Sequence, residues 1–438
     1  MKKLLTIVLI SFIAVAVKAQ SFDREKLDTY FETLASNNKL MGSITMANDG
    51  KIIYQKAFGY ANIDQQIPLS SDSRFRVGSI TKMFTAALIF KAIEEGKIQL
   101  DQTIDGFFPE LKNSEKISIS QLMNHRSGIH SFTSDPDYLS WNTTPKSRKS
   151  LYTIIIEGGS DFEPGTKADY SNSNYVLLTW ILEDVYKEDY ADLLSKNITG
   201  PLGLENTYLG KKTSTADNEA FSYKFTDKWV KEADTDMSIP LGAGAIVSTT
   251  EDLTKFIEGL FAGKIISQSS LNLMQEMKDN FGRGLFKIPF YDKLSYGHTG
   301  GIDEFKSMLS YFPEEKFSFA MSVNGGTFDP NQAAIAALSA YFGKDYGIPV
   351  FKNITLTTEE LERYLGIYSS PSFPLKITIS KENNTLVGQA TGQPSFVLEA
   401  EGNHTFSFSR AGLTLEFNLE TEEMTLKQGG GIFVLQKE

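Results

Sequence analysis

The chain has no cysteine in its 438 residues. Disulfides, thiolate nucleophiles and zinc–thiolate sites are thereby excluded, and so is a lipid-modified amino-terminal cysteine. Histidine is scarce. His125, His130, His298 and His404 form no His-Glu-x-x-His-type pair, so neither a metal nor another cofactor is expected. Positive charge is short as well, with 43 Lys and Arg against 54 Asp and Glu and a net charge of −11. Phosphate backbones and anionic lipids repel a chain of that sign, which disfavours nucleic acid and membrane surfaces as partners.

The apolar run from Leu4 to Val17 has 14 residues, too few to cross a bilayer comfortably. Lys2 and Lys3 precede it and Val17-Lys18-Ala19 follows, the pattern of a leader cleaved after Ala19. Losing Lys2, Lys3 and Lys18 takes the charge from −11 to −14. A secreted or periplasmic protein without a membrane anchor is expected, its oligomeric state open. The rest is ordinary globular composition, 41% hydrophobic and 22% charged, with length for two or three domains.

From Phe22 to Leu34 the pattern is helical, with Leu27, Tyr30, Phe31 and Leu34 on one face. Two strand-like runs then flank Asn48-Asp49-Gly50, a hairpin signal. "SNSNYVLLTWILEDVYK" reads as a helix capped by Ser173 or Asn174, and "GAIVSTTEDLTKFIEGLFAG" as one capped by Ser248 or Thr249. Strands return after Leu294, where Pro313-Glu314-Glu315 joins two alternating runs, and "DPNQAAIAALSAYFGK" closes as a helix. Strands at both ends and helices between predict an α/β (α+β) domain: one antiparallel sheet flanked by helices, with an all-helical insertion. Composition shifts near Gly347-Ile348-Pro349. From Tyr364 onward eight short strand candidates predict a small barrel or sandwich. The expected division is a leader over 1–19, a first domain over 20–347 and a β domain over 352–438.

The segment "SRFRVGSITKMFTAALIFKAIEEGK" holds the candidate chemistry. From Met83 to Ile93 it is apolar nearly all round, fit for an interior. Ser79 stands where a helix-capping serine is ordinary. Lys82 is not ordinary there, because a capping box places Glu or Gln at that spacing and a cation faces the positive end of the helix dipole. Dipole and burial both disfavour the ammonium, and a neutral amine can take the proton of Ser79. The N–H of Ser79 is available to a developing oxyanion. Ser-x-x-Lys alone is weak: Ser36 to Lys39 is a second copy, in a polar link. Two more motifs follow in order, Tyr170-Ser171-Asn172 on a loop before a helix and His298-Thr299-Gly300, then Gly301, entering a strand. Singly, Tyr170 reads as a loop aromatic and His298 as a polar strand end, and Tyr60-Ala61-Asn62 is a decoy for the second motif.

With these motifs in this order, the chain resembles the serine penicillin-recognising enzymes of the class C β-lactamase and DD-peptidase type, with their esterase relatives. The resemblance runs from about Phe22 to Gly343 and includes "QLMNHRSGI" and "PLGLENTYL". The related class A enzymes carry Ser-x-x-Lys, Ser-Asp-Asn and Lys-Thr-Gly. The resemblance implies Ser79 as acylated nucleophile, Lys82 as its base and Tyr170 as proton shuttle. Asn172 would bind the acyl amide, and the N–H groups of Ser79 and Gly301 would form the oxyanion hole. His298, Thr299, Gly300 and Asn324 would meet substrate. His125 and Ser127 would be structural, and Asp303 and Glu304 would lie on the rim, repelling anions or merely solvated. The strands after Tyr364 are similar to the lipocalin-like barrel of some members.

The implied activity is a hydrolase working through an ester on Ser79. Its substrate is a small peptide, amide, ester or β-lactam. D-Ala-D-Ala carboxypeptidase, D-peptidase or esterase action with weak β-lactamase action is expected. The alternatives are a penicillin-binding sensor without turnover and a true β-lactamase. The β-lactamases of this family usually carry lysine at the position of His298. A histidine there is only fractionally charged near neutrality, so a substrate carboxylate would be read better as pH falls toward about 6. Replacing Ser79 by alanine should lower turnover by about 10⁴–10⁶, measured by steady-state hydrolysis.

Overall fold

Asn48-Asp49-Gly50 makes the hairpin it predicts: Asp49 and Gly50 both adopt positive φ, 49° and 79°, the twist that lets two strands pair directly. The computed structural model describes residues 22–438 apart from 226, 227, 352, 353, 355, 394, 409 and 410; the leader expected over 1–19 lies outside the described residues.

Helix α1 (Arg24–Ser36) leads into β1 (Leu40–Asn48) and β2 (Lys51–Phe58). The middle of the chain carries α2 (Thr81–Glu94), α3 (Asn172–Tyr186) and α4 (Thr250–Phe261) among shorter pieces. It returns as β3 (Phe286–Phe290), β4 (Lys293–Ile302), β5 (Phe305–Phe312) and β6 (Phe317–Gly326), and α5 (Pro330–Phe342) follows. The strands pair antiparallel in the order β3-β4-β5-β6-β1-β2, so the two ends of the sheet-bearing part meet at β6 and β1.

Both faces of this sheet are covered, which is why β1 is buried nearly throughout. On one face Leu27 and Phe31 of α1 and Ala333 and Ala337 of α5 pack with Ile44, Met46 and Met321. On the other, Ser43 and Thr45 share contacts with the Thr250 hydroxyl, at 3.2 and 2.8 Å. Helix α2 runs through the middle of that second layer, buried from Thr81 to Phe90. Phe84 stacks on Phe256 of α4, with centroids 3.6 Å apart.

Two helix starts differ in how they are capped. Thr249 caps α4, accepting the Asp252 N–H at 3.1 Å. Helix α3 begins two or three residues earlier than its sequence suggests, with Ser171 at the N-cap and no side-chain cap. The Ser173 hydroxyl is committed elsewhere, donating to the His130 carbonyl at 2.6 Å.

The β3–β4 ladder ends with Phe286 opposite Gly297. Residues 298–302 of β4 therefore pair only with β5, leaving one edge toward the turn before α2. At the other end of the chain, the eight expected strands between Gly366 and Lys437 form a closed barrel of sequential antiparallel neighbours. Tyr368 pairing with Lys437 closes it, a contact that decides barrel against sandwich. Ile377, Leu386, Phe406, Leu415 and Leu426 are among the side chains that fill its interior. An ion pair between Lys39 and Glu399 joins the barrel to the sheet-bearing part. Among the described residues no helix is long and apolar enough to cross a membrane.

Replacing Phe84 by alanine should destabilise the sheet-bearing part by about 3–5 kcal/mol, because the densely packed layer cannot close over the void. The midpoint shift of its denaturant unfolding transition measures this.

Candidate active site

Phe75–Arg76 pairs as a short strand with residues 246–248, and the Val77 N–H donates to the Ile246 carbonyl at 3.0 Å. The chain then turns through Gly78, whose φ of 52° favours glycine, into a 3₁₀ turn over Gly78–Ile80. Ser79 sits in that turn and does not cap α2; Ile80 holds the cap position without a side-chain hydrogen bond. The serine hydroxyl is thus free of helix duty.

Lys82, second residue of α2, is fully buried. Its Nζ lies 3.0 Å from Ser79 Oγ, 2.8 Å from Asn172 Oδ1 and 2.7 Å from the Ala243 carbonyl oxygen. Burial holds its pKa well below the ordinary lysine value. The two carbonyl-type oxygens only accept, so each takes an N–H. In the neutral amine the remaining direction, toward Ser79, is the lone pair.

Tyr170 completes the group. Its ring lies 4.9 Å from Lys82 Nζ and stacks on His125. Burial pushes its pKa up, and the Ser79 contact offsets only part of this. With lysine shifted down and tyrosine shifted up, the amine is able to accept a proton and the phenol stays neutral.

Asn172 opens α3, which aims its Oδ1 at Lys82. Its Nδ2 donates to Thr133 Oγ1 at 2.8 Å and its backbone N–H to Ser131 Oγ at 3.1 Å. Across the cleft, the Gly301 N lies 2.7 Å from where a Cβ on Gly78 would stand, and a Cβ on Gly300 would strike the Val77 carbonyl. Glycines at 78 and 300 are what let β4 approach the serine turn. A cleft of about 660 Å³ opens there, lined by Ser79, Asn172, Gly301, Phe132, Tyr138 and Leu139, among others.

The remaining expected residues are placed differently. His298 is 3% exposed, wedged against Phe286 with centroids 4.7 Å apart, and its Nδ1 donates to the Thr299 carbonyl. Burial first, and the neighbouring Lys82 second, push its pKa down to about 3. It is therefore neutral throughout the physiological range, and the expected gain in carboxylate binding as pH falls does not arise from it. Thr299 is exposed and lines a groove between the outer sheet face and α5. Asn324 is fully buried, and its Nδ2 donates to the carbonyls of Tyr60 and Phe221 at 2.9 and 2.8 Å. That draws it away from the cleft lining.

Of three supports two were not read from the sequence, and the third, His125, was expected to be structural. The Ala243 carbonyl leaves no side-chain signature. Ser131 and Thr133 hold Asn172 from a polar loop with no motif. His125 stacks on Tyr170, centroids 4.4 Å apart, while its Nδ1 accepts the Ser171 N–H at 3.2 Å.

A serine beside a buried amine, faced by a strand edge of glycines, is an arrangement that suits a serine hydrolase. The chain belongs to the Beta-lactamase family, whose model matches residues 27–342. It is similar to penicillin-binding protein 4* of Bacillus subtilis (strain 168), 27% identical over 432 residues, with 90% of this chain and 94% of that protein covered. It is also similar to the D-stereospecific amidohydrolase from Streptomyces sp., at 26% identity and a TM-score of 0.64, covering 74% of this chain and 100% of that one. The D-amino acid amidase from Ochrobactrum anthropi SV3, solved with D-phenylalanine, gives 25% identity and a TM-score of 0.65 over 73% of this chain and 98% of that one.

The pH profile of kcat/KM should rise along a limb well below the ordinary lysine pKa as Lys82 loses its proton, and Tyr170→Phe should keep that limb at a lower plateau. A limb that disappears with Tyr170→Phe would make the phenol the base.

Proposed function

We propose that the protein hydrolyses the amide bond of short peptides or amino-acid amides, with D configuration at the acyl residue, through an ester on Ser79. The observation that carries this is the Lys82 amine, buried and 3.0 Å from the serine oxygen with its two other contacts committed to acceptors.

Lys82 Nζ takes the Ser79 proton as Oγ bonds to the substrate carbonyl carbon. The N–H groups of Ser79 and Gly301 receive the oxyanion. The C–N bond then breaks, and the proton held by Lys82 passes through Tyr170 to the departing nitrogen. Water attacks the ester, gives its proton to the same pair, and the acid leaves Ser79 regenerated.

Amide cleavage with D preference draws support from the two D-specific amide hydrolases among the similar structures. A substrate carboxylate is not required by the motif, because His298 brings no charge. The cleft lining carries both signs, with Lys224 and Lys306 beside Glu232 and Glu304. Residues 20–347 would form the catalytic unit and 352–438 the appended barrel, in a secreted protein.

Purified protein should be assayed with D- and L-phenylalanine amide, a D-Ala-D-Ala peptide, a short aryl ester and nitrocefin. D-Phenylalanine amide should be cleaved at least about tenfold faster than its L enantiomer, a margin of about 1.4 kcal/mol, and nitrocefin only slowly. A preference for the L amide, faster turnover of nitrocefin than of any amide, or a serine adduct stable for hours would each reject the proposal.

A further inference from the structure

The oxyanion hole is built from two elements that lie far apart in the sequence. Ser79 lies on the turn after Arg76, and Gly301 on the strand before Asp303. Their direct contact is glycine against glycine. Such a contact permits close approach and resists sliding only weakly, because neither backbone offers a side chain for the other to catch.

We propose that the buried Arg76–Asp303 ion pair is the brace that fixes the spacing of the two oxyanion-hole donors, each partner being a positioning residue. Arg76 stands three residues before Ser79, and Asp303 two after Gly301. Their side chains are 3% and 2% exposed, and Arg76 Nη1 lies 3.2 Å from Asp303 Oδ2. Neither end is loose. Arg76 also donates from Nη1 to the Thr235 carbonyl at 2.7 Å and from Nη2 to the Lys211 carbonyl at 3.0 Å, with Asp234 Oδ2 at 3.3 Å. Asp303 Oδ1 accepts the Thr235 N–H at 3.0 Å and its hydroxyl at 2.6 Å. Asp303 itself occupies a left-handed position, φ 53°, in the tight β4–β5 turn between Ile302 and Phe305. Its carboxylate therefore reports directly on where that turn, and Gly301 with it, stands relative to the serine.

A charged pair this deep costs desolvation and is poor evidence of stability in itself. Its placement across the hole gives it another use. Donors must match the position of an oxygen that exists only in the transition state, and small displacements there are expensive in rate. This inference rests on the Ser79 acyl-transfer reading above.

The test compares wild type, Asp303→Asn, and the double variant Arg76→Gln with Asp303→Asn, which leaves no buried charge of the pair unmatched. Each is assayed on an aryl ester and the matching thionoester. The C=S sulfur is a poor fit for a hole spaced for oxygen, so wild type should favour the ester strongly. In both variants kcat for the ester should fall about 10–100-fold with KM within about threefold. The ester-to-thionoester ratio should move toward one. Intact mass confirms that Ser79 is still acylated, and thermal melting confirms folding. If the double variant does not fold, Thr235→Val removes the hydroxyl that fixes Asp303 and should shift the ratio in the same direction. Folded variants whose kcat and ratio stay within twofold of wild type overturn the brace. Lower melting temperature with an unchanged ratio also overturns it, assigning the pair to stability alone. Absence of any Ser79 ester in wild type is a separate result that overturns the function and not the brace.

Discussion

The Lys82 amine meets three oxygens at the start of a helix that has no exposed face in its first turns. Each of those oxygens comes from a different part of the chain: the 3₁₀ turn, the first residue of α3 and the loop before residues 246–248. An ammonium in that place would sit against a helix dipole and away from water, and both disfavour it. The packing of α2 between the sheet and the outer helices is therefore a chemical condition of the site as much as a source of stability. Phe84, Phe256 and the buried hydroxyls of Ser43, Thr45 and Thr250 lie in the layer that holds this helix.

The second half of the site comes from the sheet. Because β3 stops opposite Gly297, a stretch of β4 has a vacant side just where the serine turn arrives. An extended substrate can lie along such an edge, its backbone groups meeting those of the strand. Side chains at 78 and 300 would keep the two apart, which gives those glycines a stated reason to be glycine. His298 serves this region by packing and by neutrality. Its position in the motif suggested charge recognition, but burial between Phe286 and Tyr170 removes the charge.

The barrel shows a different logic. Its strands alternate, each placing one side inward, and the inward residues fill the space they enclose. The ion pair from Lys39 to Glu399 links it to the edge of the catalytic part.

Much of the fold was legible from periodicity. The hairpin at Asn48-Asp49-Gly50, the all-round apolar helix after Ser79 and the eight barrel strands each follow from local pattern, because turn residues and alternation act over a few positions. That Ser79, Lys82, Tyr170 and Asn172 would be neighbours was legible from three motifs in order and the family resemblance they carry, and from no single spacing. Tertiary contact alone decided the rest: that Ser79 leaves the cap to become a free hydroxyl, that Asn324 turns to clamp Tyr60 and Phe221, that a carbonyl at Ala243 holds the amine, and that His298 loses its charge. Those outcomes depend on which distant segments exclude water from a group, and no local pattern in the chain encodes that.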